Sequence, residues 1–267
     1  MDTAASSSRS TFNAFGAGAG VGVLGGLIGL GGAEFRLPIL IGLFKFGPLE
    51  AVVLNKAASL VVVTAALPFR AGTVPFNQMA ASSWIIANML AGSLIGAWFG
   101  AGRATRLRSD ALYRVIAILL LLIAGALLFG HNVASGEALL IGTSRLLAGL
   151  IAGFLIGVVA SLMGVAGGEL LIPALVLLFG VDIKLAGSLS LAISLPTLLV
   201  GFTRYSRDQS FSVIGRNRGF LLAMAGGSIF GAFIGGQLLG LIPSTLLLPL
   251  LAMILIISAA KVWRHAD

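Results

Sequence analysis

The chain has 267 residues, 58% of them hydrophobic and only 10% charged, with a formal net charge of +8 and no cysteine, where a soluble globular domain carries about a quarter charged residues. That balance excludes a soluble core, and the missing thiols exclude a disulfide framework and a thiolate metal site. The basic residues sit in short links between apolar runs, so their excess reads as membrane topology and not as a nucleic-acid surface.

Residues 1–11 are small and polar, with Asp2, Arg9 and several serines, and read as a mobile tail. The apolar run 12–30 is long enough to cross a hydrocarbon layer as a helix, which takes about 20 residues. It ends in Gly29-Leu30-Gly31-Gly32-Ala33-Glu34-Phe35-Arg36-Leu37-Pro38, where a carboxylate and a proline stand in a setting that suits neither. The run 35–46 that follows is too short to span. Runs of spanning length then cover 49–69, 79–100 and 112–130, and a link of about 15 residues around His131 and Glu137 closes the first half.

The second half repeats the plan. A run at 146–163 leads into Gly164-Val165-Ala166-Gly167-Gly168-Glu169-Leu170-Leu171-Ile172-Pro173, a short run covers 170–180, and spanning runs cover 185–202, 219–239 and 243–262. Glu34 and Glu169 are 135 positions apart, and the same offset pairs Leu54, Ala57 and Ser59 with Leu189, Ala192 and Ser194, and Gly92, Gly96 and Gly100 with Gly227, Gly231 and Gly235. The chain is therefore two copies of one membrane unit: a tail at 1–11, a first repeat at 12–130, a link at 131–145 and a second repeat at 146–263. The first apolar run has an internal counterpart, so it reads as structure and not as a signal peptide.

The positions of Lys and Arg orient the copies. Arg103, Arg106, Arg108 and Arg114 follow the third apolar crossing of the first half, whereas Arg204, Arg207, Arg216 and Arg218 follow the second crossing of the other half. Basic links face the cytoplasm, so homologous halves with opposite charge placement are expected upside down relative to one another, with both termini inside. The expected fold is all-α: a polytopic helical membrane protein of two inverted-topology repeats, each a broken-helix hairpin plus three spanning helices. Interrupted helices in inverted repeats place a transporter's binding site where the interruptions meet.

Broken helices expose backbone donors and point positive N-terminal ends at the centre, a setting suited to an anion. Gly31, Gly32, Gly167 and Gly168 allow the bends, and Pro38 and Pro173 are expected at early helical positions, where a missing N–H costs little. Lys56, beside Asn55 and near Ser59, is an intramembrane cation and so a functional candidate. Arg36 lies inside the first motif. The expected anion contacts are Arg36, Asn55, Lys56, Ser59, Ser190 and Ser194, with Glu34 and Glu169 either pairing with the cations or carrying protons. Arg204 and Tyr205 are expected to anchor their helix at the cytoplasmic face, and the glycines spaced by four to let helices pack closely. No motif for ATP hydrolysis is present, so no catalytic residue, cofactor or metal is expected, and movement of a solute must draw on a gradient. A small anionic solute and the lipid bilayer are the expected partners, with room for an oligomer.

The glycine-rich bends ending in proline, the passage Asn55-Lys56-Ala57-Ala58-Ser59-Leu60, its counterpart Gly187-Ser188-Leu189-Ser190-Leu191-Ala192, and Pro196-Thr197 resemble the TauE/SafE family of sulfite and organosulfonate exporters. The resemblance covers about residues 14–262. It implies export or exchange of sulfite, sulfoacetate or a related anion across the inner membrane of a bacterium by alternating access, with proton coupling as an option. A passive anion channel and a carrier of another organic anion such as a carboxylate are the alternatives. Glu34, Arg36 and Glu169 depart from the glycine-only bend common in that family.

Overall fold

The computed structural model describes residues 2–28, 32–71, 76–129, 140, 142–238 and 244–265. The elements among them are all helical. In the first half they are α1 (Asp2–Ile28), α2 (Ala33–Gly42), α3 (Pro48–Ala71), the short α4 (Phe76–Ala81), α5 (Ser83–Ala104) and α6 (Ser109–Phe129). In the second they are α7 (Gly142–Met163), α8 (Gly168–Phe179), α9 (Ile183–Tyr205), the short α10 (Ser212–Arg216), α11 (Arg218–Leu238) and α12 (Ser244–Trp263).

The apolar runs become helices with few surprises. Residues 2–11, expected as a mobile tail, belong to α1; the stretch 2–15 contains neither glycine nor proline, so nothing in it stops the helix from extending back. Helix α2 stops at Gly42, short of the end of its apolar run, because the chain turns there: Lys45 takes a left-handed φ of 59° and Pro48 opens α3. Helices α4 and α10 are additions that no apolar period announced. Much of the link 131–145 lies outside the described residues.

Among the described residues, five helices, α3, α5, α7, α9 and α11, contain stretches long and apolar enough to cross a membrane. Helix α2 has 10 residues and at about 1.5 Å per residue covers roughly half the hydrocarbon thickness. Two-thirds (67%) of the α3 stretch is buried, against 39% of α7 and 44% of α5 and α11. Helix α3 is thus central, and the others turn apolar side chains outward, as a lipid-facing helix does.

Packing exchanges the halves. Helix α1 lies along α11, α7 along α5, and α6 against α12, while α3 meets α9. The glycines spaced by four make the first two contacts close. A Cβ on Gly92, Gly96 or Gly153 would overlap the backbone carbonyl of Leu150, Phe154 or Met89, and one on Gly227 or Gly231 that of Phe15 or Ala19.

Aromatic and charged side chains gather helix ends at two faces. At one, Phe44 and Phe46 pack on Phe220 (4.7 and 5.3 Å), Arg216 binds Glu50 (2.9 Å), Arg204 and Arg207 lie over Trp98 (5.2 and 5.3 Å), and Tyr113 meets His265 (5.9 Å). At the other, Arg145 lies over Trp84 (5.0 Å), Trp84 packs on Phe179 (5.5 Å) and Asn88 donates to the Leu146 carbonyl (3.0 Å).

Candidate functional site

The two bends come together against the middle of α3. Gly32 and Gly167 immediately precede α2 and α8 with φ of 70° and 81°, and Gly164 turns with φ of 68°, all in the left-handed region that glycine alone enters without cost. Gly164 also needs its missing side chain: a Cβ there would strike the Val52 carbonyl of α3. Gly168 is the first residue of α8. Gly31 and the side chain of Glu169 lie outside what the structure describes. Pro38 and Pro173 are not in the first turn, where they were expected, but each is the sixth residue of its helix. There the ring cannot donate to the residue four back, so the carbonyls of Glu34 and Glu169 are left out of the helical ladder close to the bends.

Arg36, Asn55 and Ser59 form one buried knot. The Arg36 guanidinium donates through Nη1 to Asn55 Oδ1 (3.3 Å), to the Asn55 carbonyl (3.5 Å) and to Ser59 Oγ (3.3 Å). Asn55 Nδ2 donates to the carbonyl of Ala33, just after the first bend, and to that of Met163, just before the second, both at 3.0 Å. Ser59 Oγ donates to the Asn55 carbonyl (2.7 Å) and lies 3.2 Å from that of Gly164. Glu34, also fully buried, acts electrostatically on Arg36. One amide and one hydroxyl of α3 therefore tie both bends together, which gives the carbonyls freed by the broken helices the partners they require.

Lys56, next in sequence to Asn55, points elsewhere. It is fully buried, and its Nζ has no hydrogen-bond partner among the described residues. The amine stands 6.0 Å from the centroid of the Tyr205 ring, at the limit of a cation–π contact. Across from it, the backbone of Gly201 in α9 approaches so closely that an added Cβ would lie 2.6 Å from Lys56 Nζ and 2.8 Å from Ser161 Oγ. Ser161 is fully buried in α7, and its hydroxyl is also unpartnered, while its carbonyl accepts from Tyr205 OH at 2.9 Å.

The remaining predicted hydroxyls divide. Ser194 Oγ reaches across to the Ala166 carbonyl (2.7 Å) and so holds the second bend, as Ser59, its repeat equivalent, also does. Ser190 Oγ turns back to Gly187 in its own helix (2.8 Å). Thr197 meets Ser93 of α5 at 2.8 Å. The expected pairing of Arg204 and Tyr205 as surface anchors holds for Arg204 alone, stacked on Trp98. Tyr205 is fully buried under Lys56, because its hydroxyl finds the Ser161 carbonyl inside the protein. Sequence reasoning missed Ser161 and Gly201. A polar residue close ahead of a glycine bend was the available signal for Ser161; Gly201 carried none.

Two buried cations and two converging bends lie within a shell of apolar helices, with no group of His or acidic residues able to hold a metal among the described residues. No curated protein and no solved structure matches the chain. A family model does, over residues 7–262, described as sulfite exporter TauE/SafE. That match takes in nearly the whole chain, both bends and the helices that hold them, and the protein belongs to the TauE/SafE sulfite exporter family.

Proposed function

We propose that the protein exports or exchanges a small oxyanion, sulfite or an organosulfonate such as sulfoacetate, by alternating access across a bacterial inner membrane. Lys56 is the charge that draws the anion in. The observation that carries this reading is the Lys56 amine, fully buried among spanning helices from both halves and without a hydrogen-bond partner among the described residues. A charge in that position costs several kcal/mol unless something compensates it, and an anionic solute is the compensation that family membership suggests.

The halves are read as inverted repeats. In support, α3 begins at the face carrying Glu50 and Arg216 whereas its equivalent α9 ends there, and α5 ends beside Arg204 whereas its equivalent α11 begins at Phe220 of that face. With Arg103, Arg204, Arg207 and Arg216 on it, that face is assigned to the cytoplasm. Arg36, Asn55, Ser59 and Ser194 hold the two bends in register about the site, and a proton carried by Glu34 or Glu169 is the coupling step this reading favours. In proteoliposomes, Lys56→Ala is expected to lower sulfite flux at least tenfold with insertion unimpaired. Unchanged flux would remove Lys56 from the site and this reading with it.

A further inference from the structure

We infer that Ser161 is a second contact for the transported anion and that Gly201, by lacking a side chain, makes room for the Ser161 hydroxyl and the Lys56 amine to stand close together and share one oxyanion group. The inference rests on the reading of Lys56 given above and adds two residues to that site.

The other hydroxyls of the spanning helices set the standard. Ser59, Thr64, Ser190, Thr197 and Thr203 each donate to a carbonyl three or four residues back in their own helix, the usual resting state for such a group in an apolar setting. Ser161 and Ser228, although fully buried, have no such partner among the described residues, and what distinguishes Ser161 is that it stands beside the unpartnered Lys56 amine. A buried hydroxyl without a partner is costly, and the same position holds a second such group, the Lys56 amine. The two come from different helices, α7 and α3, and meet at one point beside a third, α9. That point is where Gly201 would carry its side chain, 2.6 Å from Nζ and 2.8 Å from Oγ.

The chemistry of the pair is specific. An ammonium and a hydroxyl held close to one another can both donate to an oxygen-rich anion, and a sulfite or sulfonate group offers three oxygens to receive them. Tyr205 fixes the arrangement from below. Its hydroxyl holds the Ser161 carbonyl at 2.9 Å, which pins that turn of α7, and its ring forms the wall under Lys56. A methyl group at 201 would collide with both donors and push them apart.

The test is sulfite flux in proteoliposomes measured over a range of concentrations, with the melting temperature of each detergent-purified variant recorded without ligand. Ser161→Ala is expected to raise the half-saturating sulfite concentration about tenfold, the loss of one hydrogen bond to a charged ligand, with maximal flux and melting temperature close to those of the parent. Gly201→Ala is expected to raise it further. If Ser161→Ala leaves half-saturation unchanged, or lowers maximal flux alone, while Lys56→Ala still abolishes transport, the assignment of Ser161 and Gly201 fails and the role of Lys56 survives. If Lys56→Ala is itself without effect, the reading of the whole site fails. Should Gly201→Ala not fold, the milder Ser161→Ala still decides.

Discussion

Arg36 and Lys56 are both fully buried cations of the first half, and a count of charges treats them alike. Their surroundings do not. Arg36 spends one nitrogen, Nη1, on Asn55 and Ser59 and lies in the field of Glu34, although its Nε and Nη2 have no hydrogen-bond partner among the described residues, so its charge is in part committed to holding the bends. Lys56 spends its amine on nothing described. Burial alone therefore does not mark a binding group; the discriminating observation is whether the protein has already satisfied it.

The contrast can be broken most forcefully at Arg36. Arg36→Leu leaves the Glu34 carboxylate buried without its cation and is expected to destabilise the protein by about 3–5 kcal/mol, read as a lower melting temperature in detergent. Adding Glu34→Gln should restore much of that loss. A single variant that melts like the parent would show that the knot carries no structural weight, and would place Arg36 beside Lys56 as a free charge. Lys56→Ala should show the converse pattern, with flux lost and the melting temperature kept.

A smaller effect is expected at Asn55. Removing its amide in Asn55→Ala deprives the carbonyls of Ala33 and Met163 of their donor, at a cost of about 1–3 kcal/mol, and loosens both bends at once. Limited proteolysis or cysteine accessibility near Gly164 reports it. The smallest pair tests the second half. Ser194→Ala loses a bond across to the other side of the bend and should cost about 1 kcal/mol, whereas Ser190→Ala loses a bond within its own helix and should change stability by less than about 0.5 kcal/mol and leave flux intact. Loss of transport in Ser190→Ala would return that hydroxyl to the anion site.

Much of this was legible because a bilayer imposes simple rules. Apolar length sets the helices, and the paired motifs at Gly32 and Gly167 announce backbone turns that any other residue would resist. The spacing of Gly92, Gly96 and Gly100 predicts close packing, because glycines four apart share one helix face. Of the residues expected together, Arg36, Asn55 and Ser59 meet in one buried knot, while Lys56 turns away from them. Adjacent residues on a helix point about 100° apart, so Asn55 and Lys56 look into different neighbours. Pro38 and Pro173 were displaced from the helix start to its sixth position for a local reason, since each helix begins directly after its left-handed glycine.

By itself, then, the sequence determined that the protein is helical and built of apolar helices of membrane-spanning length, that two glycine-rich motifs interrupt them, and that two cations lie within apolar stretches. These follow from composition and period, which act along the chain. Only the tertiary structure decided that Arg36 is hydrogen-bonded to Asn55 and Ser59 while the Lys56 amine has no such partner among the described residues, and that Ser161, Gly201 and Tyr205 stand around that amine. Such contacts join α3, α7 and α9 across more than a hundred positions of chain, and no local pattern encodes which side chains meet there.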